Sequence, residues 1–293
     1  MLGMPGMRYI PLDSHSVLTQ WQFSPFPLLV LAAVVVTAAW YLRARSLLVA
    51  RGRRWRWTRT VSFLAGLVAL DLALQSPVAT FTMEFFQAHV VQHLLLMVVA
   101  PPLLAMGAPM TLALQTSDRD TKVRLLGILN STPFRWMTHP LPVAAAYYFT
   151  MFAFFLTFAL GFAMDHMWVM DLINVGFFFA STLFWWPIVG PHPGRRLTEP
   201  LAVAYLLSAC LACTLLGVSI AFSPVRVCSA YGHAADPLGL LPLVRGWGLT
   251  PEVDQQLGGL LMWIPGCAVY AGAVLAIVAR FYAAPHGKVQ EAS

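Results

Sequence analysis

Seven stretches of about twenty mostly apolar residues recur along the chain, at roughly 24–42, 60–77, 83–105, 141–163, 168–188, 201–222 and 255–279. Each is long enough to cross a hydrocarbon layer of about 30 Å as a helix rising about 1.5 Å per residue. In that layer every backbone amide must be satisfied within the protein, so only helices or a closed barrel remain. The runs are continuous rather than alternating, which selects the helix. The expectation is an all-α fold, a seven-helix polytopic membrane bundle forming one domain over 1–293. Composition points the same way. Apolar residues make up 59% of the chain and charged residues 10%, with a mean hydropathy of +0.70, whereas soluble domains carry about 25% charged residues. The four cysteines show no disulfide framework of a secreted protein.

The loops orient this bundle. Arg43, Arg45, Arg51, Arg53, Arg54, Arg56 and Arg59 follow the first run; Arg119, Lys122, Arg124 and Arg135 follow the third. Arg195 and Arg196 follow the fifth, and Arg280 and Lys288 follow the seventh. Only Arg8, Arg226 and Arg245 fall on the opposite side. The positive-inside rule then places the N-terminus outside and the C-terminus in the cytoplasm. The first run lacks a basic region before it and a small-residue cleavage site after it, so it reads as a retained anchor. Segment 117–137 opens with Ser117-Asp118-Arg119-Asp120, a helix start, and mixes cations with Leu125, Ile128, Phe134 and Trp136. It reads as an amphipathic segment lying on the cytoplasmic interface.

Within the third run, Phe85-Phe86-Gln87-Ala88-His89-Val90-Val91-Gln92-His93 sets two imidazoles four residues apart. On a helix both rings share one face, about one turn apart. A polar side chain at membrane depth is costly, so the pair points to a metal, a haem, a proton path or a hydrogen bond between helices. Counting rise per residue, His89 and His93 lie roughly 9 and 15 Å below the outer surface, Asp71 roughly 9 Å and Met262 roughly 12 Å. Asp71 needs a partner or a water-filled cavity at that depth. Asp254 stands where the last helix begins and serves either as a cap or in the site. Glu84, Asp165 and Asp171 read as interfacial caps.

Cys210 and Cys213 are spaced C-x-x-C among small residues in the sixth run. They are either helix packing or soft-metal ligands. Met83, Met164, Met167 and Met170, with His166 and His233, fall at the outer surface, where a soft metal could be received or released. No glycine-rich phosphate loop and no nucleophile–base pattern is present. A retinal Schiff base needs an intramembrane lysine, and the only lysines, Lys122 and Lys288, lie outside the runs. No nucleic-acid-binding pattern occurs. The chain reads as a non-enzyme with membrane lipid as its surroundings.

Several of these motifs together resemble the CtaG-type cytochrome c oxidase assembly family. The core of the likeness is Ala88-His89-Val90-Val91-Gln92-His93-Leu94-Leu95-Leu96, followed by Ala100-Pro101-Pro102-Leu103-Leu104 and Gly107-Ala108-Pro109. His139-Pro140, Trp186-Pro187-Ile188-Val189-Gly190 and Asp254-Gln255-Gln256-Leu257-Gly258-Gly259 with Met262-Trp263 follow in the family's order. The chain departs at Cys213, where the family often has a histidine, at His192, where an aspartate is common, and at Cys267, where an acidic residue often stands. The resemblance implies a multi-pass protein of the bacterial plasma membrane that helps build haem–copper oxidases. Its partner would be the oxidase core subunit, and copper its transient cargo.

By matching position, His89 and His93 inherit a copper-ligand role. Cys213 and Met262 are candidates for softer ligation, and Asp71 and Asp254 for charge balance. Two other functions use the same residues. One is a copper permease. The other is a b-type haem electron-transfer protein, which needs a second histidine at matching depth on another span.

Overall fold

The computed structural model describes residues 19–153, 162–163, 166–189, 196–227, 231 and 241–283. Among the described residues no strand occurs. The helices are α1 (Pro25–Ala50), α2 (Trp57–Gln75), α3 (Pro77–Phe81), α4 (Phe86–Leu94), α5 (Ala100–Met106), α6 (Pro109–Thr116) and α7 (Arg119–Asn130). They continue as α8 (Thr132–Met137), α9 (Pro140–Ala153), α10 (Met167–Val189), α11 (Glu199–Ala221), α12 (Leu241–Gly246) and α13 (Pro251–Ala283). Six uninterrupted or kinked rods among them are long and apolar enough to cross a membrane: Pro25–Ala50, Trp57–Phe81, Phe86–Thr116, Met167–Val189, Glu199–Ala221 and Pro251–Ala283. Of the expected run at 141–163, the described part is chiefly α9, and residues 154–161 lie outside the described residues.

The bundle is inverted relative to a soluble protein. Large apolar side chains such as Leu29, Val36, Phe149, Phe179 and Leu275 are exposed, while Gln75, His89, Gln92, His93, Asn174, Ser181, Asp254 and Gln255 are buried. Lipid accepts the first set and offers nothing to the second, so the polar groups turn inward.

The third rod differs from the expected 83–105 by running on to Thr116. Pro101 and Pro102 lack amide hydrogens and would break a regular helix. The chain absorbs them by widening into a π-helical turn over Leu95–Val99 just before α5. Trp185 of α10 donates its Nε1 hydrogen to the Met97 carbonyl within that turn, at 3.1 Å. A second bend falls at Ala108, whose φ of 51° is left-handed and rare for a residue with a Cβ. The last rod likewise exceeds the expected 255–279, because helical geometry continues from Pro251 to Ala283.

The expected amphipathic segment 117–137 forms two helices, α7 and α8. The Asp118 carboxylate accepts from Asp120 N and Thr121 N, both at 3.2 Å, to start α7. Ser131 Oγ accepts from Phe134 N at 3.4 Å to start α8. Both are N-caps that satisfy orphan amides.

Among the described residues three apolar clusters form, the smallest being Ala73, Leu74 and Leu96 between α2 and the third rod. A second, at the arginine-bearing end, is built on Tyr41, which stacks on Phe63 at 4.1 Å between ring centres. Its hydroxyl donates to Gly107 O at 2.8 Å and accepts from Trp55 Nε1 at 3.2 Å. The largest joins α4, α9, α10, α11 and α13. There α11 and α13 meet backbone to backbone. A Cβ on Gly217 would lie 2.8 Å from Gly259 O, and one on Gly259 would lie 2.5 Å from Ala221 N. Only glycine permits this approach, which supplies the van der Waals contact that drives helix association in lipid.

Candidate functional site

The histidine helix α4 is held at three points. At its start, Asp254 of α13 receives Phe86 N on Oδ2 at 2.6 Å and Gln87 N on Oδ1 at 3.1 Å. These amides belong to the four that a helix N-terminus leaves without internal partners, and a carboxylate there also meets the positive end of the dipole. On one flank, Gln92 donates to Ala73 O of α2 at 2.8 Å. On the same side as the cap, Gly258 leaves room for the Phe86 ring, which a Cβ would strike. These contacts fix the roll of the helix.

With the roll fixed, both imidazoles point into the bundle. His89 is 1% exposed and His93 5%. Their ring centres are 4.3 Å apart with the planes 39° from parallel. Phe86 and Tyr231 flank the His89 ring, each at 6.4 Å, and Phe177 of α10 lies 4.4 Å from the His93 ring. Tyr231 is itself fixed by a hydrogen bond from its hydroxyl to Thr82 O at 2.9 Å.

Beside His93 lies a cavity of about 20 Å³. Cys213 of α11 and Met262 of α13 line it together with His93, so three of the four residues expected as ligands share one chamber. Met97, Met151, Tyr147 and Tyr270 complete most of its wall. The two tyrosine hydroxyls are hydrogen-bonded to each other. The Cys213 thiol donates to Met262 O at 3.1 Å. His89 stands one turn away from the chamber, against the His93 ring. A space of this size holds one water-sized sphere or one bare ion.

The remaining expected residues fall elsewhere. Asp254 is engaged by the amides of α4, so its part is to hold the histidine helix. Asp71 is half-buried in α2, and its Oδ1 has no hydrogen-bond partner among the described residues. Nor does it bond either imidazole among those residues. Cys210 does not line the chamber; its carbonyl accepts from the Cys267 thiol at 3.3 Å, which in turn meets Thr214 Oγ1 at 3.1 Å. The C-x-x-C spacing thus divides between chamber and helix packing.

Met83 packs against the main core, Met170 is buried in it, and Met167 is exposed. His139 and His166 are exposed, with Nδ1 atoms 3.4 Å from Leu141 N and 3.0 Å from Phe162 O. Met164, Asp165, His192, Cys228, His233 and His286 lie outside the described residues. Among the described residues no group of three or more His, Cys, Asp and Glu side chains is arranged to hold a metal. The sulfur atoms lining the chamber are mainly thioethers, those of Met97, Met151 and Met262, beside the Cys213 thiol. Sequence reasoning missed Met97 and Met151. Met97 carried a signal, since it follows His93 by four residues on the same face. Met151 sits on another helix and carried none.

Comparison with known proteins places the chain. The family model described as cytochrome c oxidase caa3 assembly factor (Caa3_CtaG) matches residues 21–284. The uncharacterized protein Mb0105 of Mycobacterium bovis is 28% identical over 255 residues, which cover 84% of this chain and 37% of that protein. The uncharacterized protein ML1998 of Mycobacterium leprae is 24% identical over 253 residues, with the same two coverages. The chain therefore spans little more than a third of the length of these relatives. No solved structure matches it. The family match takes in every described rod, the paired histidines and the Asp254 clasp, and the chain belongs to the cytochrome c oxidase caa3 assembly factor family.

Proposed function

We propose that this protein handles copper inside the bilayer during assembly of a haem–copper oxidase. It would receive the ion from the outer side and pass it to the oxidase core subunit. The observation that carries the reading is one chamber shared by His93, Cys213 and Met262, with His89 in ring contact beside it. Imidazole suits copper, and thiol and thioether sulfur favour its reduced form. Copper is cargo in this account. The chamber's modest set of strong donors fits that task, because a closed cage of anionic ligands would retain the metal.

The arrangement also separates labour among the residues. Asp254 and Gln92 set the orientation of α4, and the aromatic rings of Phe86, Phe177 and Tyr231 enclose the imidazoles. Enclosure excludes water and leaves the imidazoles in a medium where each donor atom counts more than in water. The partner would be met within the membrane, and the plasma membrane of a bacterium is the fitting location.

The test is replacement of both imidazoles. Cells in which this chain carries His89→Ala with His93→Ala should assemble oxidase with a lower copper-to-haem ratio, while the variant protein still reaches the membrane. An unchanged ratio with normal protein levels would refute copper handling by this site.

A further inference from the structure

We infer that Met97 and Met151 are ligands alongside His93, Cys213 and Met262, and that the chamber takes its ion as Cu(I) in preference to Cu(II) or Zn(II). This rests on the copper reading above and adds to it an oxidation state and two donors.

The five side chains come from separate parts of the fold: His93 from α4, Met97 from the π-helical turn, Met151 from α9, Cys213 from α11 and Met262 from α13. All line the same cavity, and the three methionines are 4%, 1% and 6% exposed in chain order. Among the described residues no carboxylate lines it. Thioethers are neutral, polarizable donors that bind soft monovalent copper well and hard or borderline divalent ions poorly. A divalent ion would bring two positive charges into a largely apolar chamber with no carboxylate among the described residues to balance them. Zn(II) in proteins is almost always held by four His, Cys or carboxylate donors, and among the described residues not even three such groups converge.

About 20 Å³ admits one bare ion, so the choice among ions falls to the donor atoms rather than to size. The Tyr147 and Tyr270 rings supply a polarizable wall in which their hydroxyls are turned to each other. A cation beside such rings gains a further electrostatic attraction. The π-helical turn places Met97 in this wall, and Trp185 fixes that turn through the Met97 carbonyl.

Methionines also fill gaps in apolar cores, and the experiment separates that role from ligation. Leucine preserves apolar volume at small cost to stability but donates no sulfur. Protein purified in detergent without a histidine tag is titrated with Cu(I), Ag(I) and Zn(II) against competing chelators. The wild type should bind Cu(I) and Ag(I) at least about a hundredfold more tightly than Zn(II). Met97→Leu with Met151→Leu should weaken Cu(I) and Ag(I) about tenfold or more, with only a small fall in melting temperature. Met137→Leu, at an exposed methionine, should change nothing. Wild-type-like Cu(I) binding by the double leucine variant, or Zn(II) binding as tight as Cu(I), would overturn the inference while leaving the copper reading in place. A wild-type protein that binds no copper would overturn both.

Discussion

Asp254 illustrates how a residue can matter to a site without touching it. Both its oxygens are taken by the first amides of α4, so its loss would free the helix that carries the histidines. Asp254→Ala should destabilise the purified protein by about 2 kcal/mol, the range for a charge-assisted bond whose buried partner is left unmade. Thermal unfolding measures this, and faster hydrogen exchange at Phe86 N and Gln87 N would localise it. Gly266 offers a second test at this scale. A Cβ there would lie 2.7 Å from the Cys213 sulfur. Gly266→Ala should therefore displace the thiol and weaken Cu(I) binding although every ligand type is still present; affinity equal to the wild type would argue against Cys213 as a donor. The imidazole pair was legible in the sequence because its spacing has a single consequence on a helix. The role of Asp254 was not, because its partners lie more than 160 residues away and are backbone groups, which leave no mark in side-chain pattern.

Among the elements, the long apolar rods were legible from hydropathy, and their ends were not. The rod Phe86–Thr116 outlasts its expected end because a π-helical turn and a left-handed Ala108 accommodate prolines and a glycine that read as breakers. The α11–α13 contact depends on Gly217 and Gly259, and a Cβ at either meets main-chain atoms that cannot swing away. Gly259→Val should separate the helices at a cost of about 1–3 kcal/mol. It should also open the chamber between Cys213 and Met262, which a fall in both melting temperature and copper affinity would report. Outside the rods, Asp118 is held below the ordinary carboxylate range by hydrogen bonds from Thr121 and Asp120. A lowered native value means that its contribution to α7 is present at neutral pH and lost as pH falls through that value. Exchange at Asp120 N and Thr121 N should accelerate on acidification, and Asp118→Ala should abolish that pH dependence.

At the scale of the whole molecule, the inverted distribution of polarity governs the rest. The apolar exterior leaves the few polar groups no favourable place except the interior, and the helices converge where those groups can be shared. Hydropathy made the membrane class and helical architecture legible, and motif order made the family legible. The chamber was legible only in part. His93 and Met262 could be brought to similar depth by counting residues from the membrane surface, and Cys213 entered through its position in the family pattern. Which helices face one another follows from packing, and packing brought in Met151 and left Asp71 apart. X-ray absorption at the copper edge, on Cu(I)-loaded protein purified without a histidine tag, tests the central claim most directly. The account predicts a copper shell of mixed nitrogen and sulfur that loses nitrogen in His93→Ala and sulfur in Met97→Leu with Met151→Leu. A shell of nitrogen and oxygen alone, unaltered by these substitutions, would contradict it.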